Sequence, residues 1–273
     1  MSENIFPPMG VVALVAFLPY LVAASCMWGF FFGRGAPWMA KFRIPGHHPA
    51  PLQHHKERRI SLVALGVWVG AMWGAILLTA GGVLQLDLSL TLPPLSRWVA
   101  ELALLYLLLD AWWYGTHRLM HHPLLFRRVH AIHHQFRHAT PWASWAQGPW
   151  EAAINAVPYV VLPLVLPFHL TSLLTLHVVI TIFATLGHCG HELFPRGADH
   201  RLPFCLLNSA SHHALHHRQF GSNFGSLSSV WDSLLHTHNP RWSTWFNTVV
   251  KPPPPEATSP GLGSHPSVSR GVV

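Results

Sequence analysis

Residues 110–134 read DAWWYGTHRLMHHPLLFRRVHAIHH, and SHHALHH follows at residues 211–217. His117 and His121 stand four apart, His130, His133 and His134 form HxxHH, and His213, His216 and His217 repeat that pattern. On a helix, positions i, i+3 and i+4 share a face. Each box is therefore expected to aim its imidazoles at one point, and imidazole is the commonest protein metal ligand. These eight rings exceed what one four-coordinate zinc can use. The pattern predicts a histidine-rich centre for two metal ions. A single HxxxH arises by chance in a chain with 23 histidines, but two HxxHH boxes with HxxxH at the end of an apolar run do not.

The segments that must position these rings belong in a membrane. Half of the 273 residues are apolar and only 10% are charged, against about 25% in a soluble domain. The net charge of +7 does not indicate nucleic acid, because the basic residues form no run among interleaved aromatics. Cys26, Cys189 and Cys205 make no CxxC pair and no disulfide framework. Cys26 is expected to be a small buried hydrophobe, and Cys189, between two histidines, a packed thiol.

Residues 9–32 are long and apolar enough to span. No basic stretch precedes them, so a first span is expected rather than a cleaved leader. Residues 33–59 are polar; His47, His48, His54 and His55 there are expected to be solvated. A second span covers 60–86 and a third 98–114, which runs straight into the first box. Glu101 and Asp110 lie within the third. Glu101 reads as snorkelling, Asp110 as either an acceptor for a ligand N–H or an interfacial residue. Residues 150–186 are apolar but interrupted by Pro158, Pro163 and Pro167, which suggests a hairpin of two spans or a re-entrant pair. His177 lies inside it, suited equally to function and to packing.

The expected fold is thus all-α: an integral membrane helical bundle of about four to five spans, or three spans plus a hairpin, under a helical histidine-box cap. Residues 1–251 read as one membrane-embedded domain with its histidine core at about 105–239, and the Pro/Ser-rich tail 252–273 reads as disordered. With these spans, sixteen of the 17 Lys/Arg fall on the side of the boxes, Arg97 being the exception. By the positive-inside rule that side is cytoplasmic.

The boxes HRLMH, HAIHH, GHCGHE and HHALHH, followed by NFGSLSSVWD, resemble the fatty acid hydroxylase/sterol desaturase superfamily of membrane di-iron oxygenases. The resemblance runs from Leu105 to Asn239. It implies that His117, His121, His130, His133, His134, His213, His216 and His217 bind metal. His188 matches a further histidine that precedes a Gly–aromatic–acid element. His191 stands at the aromatic position of that element, as an extra ligand or a partner of one, and His212 adjoins the last box as in some members. His122 is not required by the pattern. Two departures bear on the substrate: SLLHTH follows Trp231–Asp232 where relatives tend to have Phe–Gly–Thr, and GPWE stands where many have His-Pro-x-Glu, so Pro149 and Glu151 are kept while Gly148 replaces histidine.

An all-nitrogen site with open positions suits iron that binds O2, and a site at the ends of membrane helices suits a lipid: fatty acyl chain, sterol or hopanoid, carotenoid or ether lipid. Two iron ions would activate O2 to hydroxylate or desaturate it. No nucleotide-binding fingerprint occurs, so electrons come from outside; the resemblance implies a ferredoxin or a b-type cytochrome with its reductase. Arg127, Arg128 and Arg137 would dock such a partner or simply follow the positive-inside rule. Asp232 and Glu192 read either as surface salt-bridge residues, the default for an acid, or as acceptors for ligand N–H groups. Trp142, Trp145 and Trp150 line an access crevice or form an interfacial belt. Two other functions compete. A membrane zinc hydrolase would want a motif such as HExxH, which is absent, and a non-catalytic metal-binding membrane protein would place its ligands inside the spans.

Overall fold

The computed structural model describes residues 9–199 and 201–250; the tail at 252–273 lies outside them. The helices are α1 (Met9–Phe31), α2 (Ala36–Met39), α3 (Gln53–Ala80), α4 (Leu95–Met120), α5 (Pro123–Val129), α6 (Ala131–His134), α7 (Pro149–Ala156), α8 (Pro158–Val165), α9 (Leu170–Gly187), α10 (Ala210–Arg218), α11 (Val230–Leu234) and α12 (Trp242–Val250). The only named sheet among the described residues is a two-residue parallel ladder, Leu86–Asp87 against Phe168–His169. The protein is all-α.

Three helices, α1, α3 and α9, are long and apolar enough to cross a membrane, and the protein is an integral membrane protein. α3 begins seven residues before the apolar run. Its first two turns, QHHKERR, consist largely of good helix formers, and Glu57 on them is fully buried. Glu57 accepts from Gln53 Nε2 at 2.7 Å and from the Thr140 N–H and hydroxyl. The four early histidines are accordingly not a solvated set. His54 lies on α3 with its ring 4.5 Å from that of Trp28. His47 is buried and donates from Nε2 to the Ala139 carbonyl at 2.9 Å. Its ring fills the space beside Gly190, whose φ is +68° and where a Cβ would lie 2.3 Å from His47 Nε2, so only glycine fits there.

α4 is a single 26-residue helix that carries the third apolar run and the first box together. It is interrupted chemically by Glu101 and Asp110, and both acids turn inward. Glu101 does more than snorkel: it accepts from Arg97 at 2.7 Å, Ser172 Oγ at 2.6 Å and His169 N–H at 3.0 Å, tying α4 to the start of α9. Asp110 is not bonded to a ligand ring; it accepts from Ser228 Oγ at 2.5 Å and Ser228 N–H at 3.1 Å. The Pro-interrupted stretch forms two eight-residue helices, α7 and α8, and one 18-residue helix, α9. Pro158 lacks an N–H and so serves at the start of α8 rather than inside a longer helix.

Packing centres on Trp68, Leu105, Leu109, Phe168 and the small residues Ala16, Ala24 and Ala64, all at most 1% exposed. Small residues let membrane helices approach closely where lipid offers no hydrophobic drive. The loop after α6 is pinned from two helices, because Tyr20 Oη of α1 and Ser61 Oγ of α3 both donate to Trp142 O at 2.9 Å. Each such bond contributes about 1 kcal/mol. Cys189 is packed as expected, but Cys26 is exposed on α1, since the apolar face of a membrane helix can point outward as readily as inward.

Candidate metal centre

Nine histidines gather around the C-terminal ends of α4 and α9. His117, His121, His130, His134 and His216 form one group, and His133, His188, His213 and His217 a second; within each, the ring nitrogens lie within 4.8 Å of one another. The expectation that each box points to one place holds for His117 and His121, which share the first group, and fails for the two HxxHH boxes. His130 and His134 face the first group while His133 faces the second; His213 and His217 face the second while His216 faces the first. The physical reason is the helical rotation of about 100° per residue, which sends adjacent histidines apart and brings i and i+4 together. The two groups abut, with the His134 and His217 rings 4.7 Å apart.

The tautomers of five of the nine rings follow from the surroundings, whereas His134 and His217 have no partner at Nδ1 among the described residues. Nδ1–H of His117, His188 and His216 donates to the carbonyls of Phe224, Ala184 and Ser222, each at 2.7 Å. His133 makes a longer contact of 3.4 Å to Ala146 O, and His130 Nδ1 lies 2.9 Å from Glu151 Oε1. With the proton on Nδ1, the lone pair sits on Nε2. The Nε2 atoms then face one another: His134 lies 3.1, 3.0 and 3.1 Å from His121, His130 and His216, and His217 lies 3.1 and 2.9 Å from His133 and His213. Lone pairs converging at this range in a buried site repel unless a cation lies between them. At metal–nitrogen bonds of about 2.0–2.1 Å, neighbours at right angles are about 2.9 Å apart and tetrahedral ones about 3.4 Å. The first group offers five nitrogens, one more than structural zinc takes, and the second offers four.

The supporting groups are mostly invisible in a motif. Asp232 accepts from the Phe224 and Gly225 N–H groups at 2.8 and 2.7 Å and from Thr237 Oγ1 at 2.6 Å. It thereby fixes the carbonyl that orients His117 rather than touching a ring of either group. Glu192 accepts from Ser211 N–H at 2.9 Å, and from its hydroxyl, at the start of α10. Glu151, buried on α7, is the carboxylate that meets a ring of the first group directly. Gly148 precedes α7, and a Cβ there would already lie 3.1 Å from Ile132 Cδ1 and 3.2 Å from Val129 O, so the α5–α6 segment packs where a side chain would be. His191 and His212 lie outside both groups. His191 stacks on Phe31 at 4.8 Å with Nδ1 on Cys189 O, and His212 packs on Trp242 with Nε2 3.5 Å from Asp232. His122 is an exposed N-cap of α5.

A cavity opens onto both groups. Its walls include Trp68, Trp113, Trp145, Ile180, Phe183 and Leu227, and it reaches His117, His130, His133, His188 and His213. Its free volume, about 100 Å³, is several times the roughly 10–15 Å³ that one water needs. Trp145 lines it, Trp142 is buried behind it, and Trp150 is 71% exposed; the three tryptophans do not act together.

The fatty acid hydroxylase family profile matches residues 102–237. The chain belongs to the fatty acid hydroxylase/sterol desaturase superfamily. Human lathosterol oxidase is 28% identical to this superfamily member over 68% of the chain and 62% of its own length. The Delta(7)-sterol 5(6)-desaturase of Candida glabrata is 25% identical over 91% and 65%, and the C-4 methylsterol oxidase of Schizosaccharomyces pombe 29% identical over 76% and 72%. The chain therefore spans less than two thirds of the human and Candida proteins. No solved structure matches it.

In this superfamily member, burial, reinforced by neighbouring rings, holds His130, His133, His213, His216 and His217 well below the ordinary histidine range. An unfolded chain protonates these rings as pH falls through about 6.5, while the folded chain does not. The unfolded state then binds more protons, so stability falls as pH falls. Thermal unfolding of the metal-free protein should shift steadily downward from about pH 7.5 to about pH 5.5. A flat profile over that window would contradict the burial of neutral rings.

Proposed function

We propose that this protein is a membrane-bound oxygenase that uses O2 and externally supplied electrons to hydroxylate or desaturate a lipid. One observation carries the reading: two abutting groups of Nε2 lone pairs lie at the end of a largely apolar cavity. The first group would hold one iron ion and the second another, the nine histidines being the ligands. When bound, such ions supply the O2 activation that breaks an unactivated C–H bond. The chain itself does three things. Glu151 and the Phe224, Ser222 and Ala184 carbonyls keep the Nδ1 protons in place and the Nε2 atoms directed. The Trp68, Trp113 and Trp145 walls exclude water from the reacting carbon. The helix ends bring a lipid to the rings without removing it from the bilayer.

The names of the relatives favour a sterol-like substrate over a simple acyl chain. The histidine face is assigned to the cytoplasm by the positive-inside rule, because the polar segments that carry the boxes also carry most of the Lys/Arg in the sequence. Arg127, Arg128 and Arg137 are exposed there. Arg137 lies 6.0 Å above the Phe220 ring, which is 4.6 Å from His134. That basic face suits an acidic electron carrier, a ferredoxin or a b-type cytochrome.

Metal analysis of the purified protein, paired with lipid mass spectrometry of cells with and without it, tests the proposal. The expected result is about two iron ions per chain, one for each ring group, and a lipid that gains one oxygen or loses two hydrogens. One zinc per chain with an unchanged lipid profile would refute it.

A further inference from the structure

Gln147 and Asn155 stand in the cavity wall and take no part in ring orientation or helix capping. Asn155 Nδ2–H donates to Gln147 Oε1 at 3.3 Å. Neither the Gln147 amide N–H groups nor Asn155 Oδ1 makes another hydrogen bond among the described residues. Exchanging the amide orientations, which X-ray methods rarely resolve, would still leave one donor and one acceptor. The backbone around them is fixed: Trp113 Nε1–H donates to Asn155 O at 3.0 Å, and the Gln147 N–H to Trp145 O at 2.8 Å.

Their position relative to the metal ligands is set by the helix. Asn155 follows Glu151 by four residues on α7, so the two share a face about 5–6 Å apart, and Glu151 touches His130. A paired amide with a spare donor and a spare acceptor, set among indole and aliphatic walls, is the kind of polar group that orients a ligand in an apolar pocket. For a plain hydrocarbon it would be a liability, since an apolar ligand would strip water from both groups and replace no hydrogen bond.

Resting on the lipid-oxygenase reading above, we propose that Gln147 and Asn155 bind a hydroxyl group of the substrate, which is therefore a lipid alcohol. A hydroxyl matches the pair because it accepts from one amide and donates to the other. A carbonyl or ether oxygen can only accept. The same anchor selects which carbon faces the rings, because the oxygen is held about one helical turn from the carboxylate that orients His130.

The test is equilibrium binding to the full-length protein in nanodiscs, read by quenching of tryptophan fluorescence. Two matched probe pairs are used: a saturated sterol alcohol against the same ring skeleton without its hydroxyl, and a long-chain alkanol against the alkane. Metal-free and metal-loaded protein are both measured, so that binding is read apart from turnover. In at least one pair the alcohol should bind about tenfold tighter, as expected for two added hydrogen bonds. Gln147→Met and Asn155→Leu, which keep the volume and remove the amide, should bring the ratio to within about twofold while leaving hydrocarbon affinity unchanged. Equal affinities within both pairs, no binding of any probe, or a ratio that survives both substitutions would overturn the inference. Oxidation of a lipid without alcohol preference would sink only this inference; alcohol preference without oxidation would sink only the proposed function.

Discussion

Replacing His133 with alanine should abolish lipid oxidation, by more than about a hundredfold, and lower the iron content to one ion per chain or less. His133 supplies one of the four Nε2 atoms of the second group and lies 3.1 Å from that of His217. Changes to residues that merely support a ligand typically cost about 10–100-fold in activity or affinity, so loss of the ligand itself should exceed that. His122→Ala is the matched control: its ring sits in the same histidine-rich stretch but is exposed and in neither group, and that variant should keep its iron and its activity. Parallel metal analysis and product assay decide the matter. Two ions and full turnover in the His133 variant would remove it from the ligand set.

Glu151→Ala should reduce activity and iron affinity by about 10–100-fold, with Glu151→Gln recovering most of the loss. The carboxylate is 2% exposed and its Oε1 lies 2.9 Å from His130 Nδ1. Alanine leaves that N–H without an acceptor, so the ring can rotate or move its proton to the nitrogen that should hold a lone pair. Glutamine keeps an acceptor oxygen in the same place. A purely packing role for Glu151 would instead make the two variants equivalent in iron affinity, and that outcome would rule out the orienting role.

What sequence made legible here was what depends on local spacing. Apolar length marked α1 and the body of α3, and histidine spacing marked the residues that gather. Spacing alone did not reveal how the rings are shared, because a box read as one face hides the angle between His133 and His134. The acids were the least legible. Asp110, Asp232 and Glu192 all lie near the boxes, yet they grip Ser228, the 224–225 backbone and Ser211 respectively. Those partners are set by tertiary packing, between segments that no periodicity connects. Glu151 was visible as part of GPWE, but its contact with His130 depends on α7 packing against the α5 segment. His47 carried no helical spacing at all; its burial depends on the absence of a side chain at Gly190.

The interleaving of neighbouring rings has a consequence for maturation. α6 sends His134 to one ring group and His133 to the other, and α10 does the same with His216 and His217, so that if each group holds an ion as proposed, both short helices would serve both. Seating an ion in one group would therefore clamp both short helices in the pose the other group needs. Uptake should be all-or-none: a titration of the empty protein ought to be sigmoidal, with scarcely any half-filled species along the way.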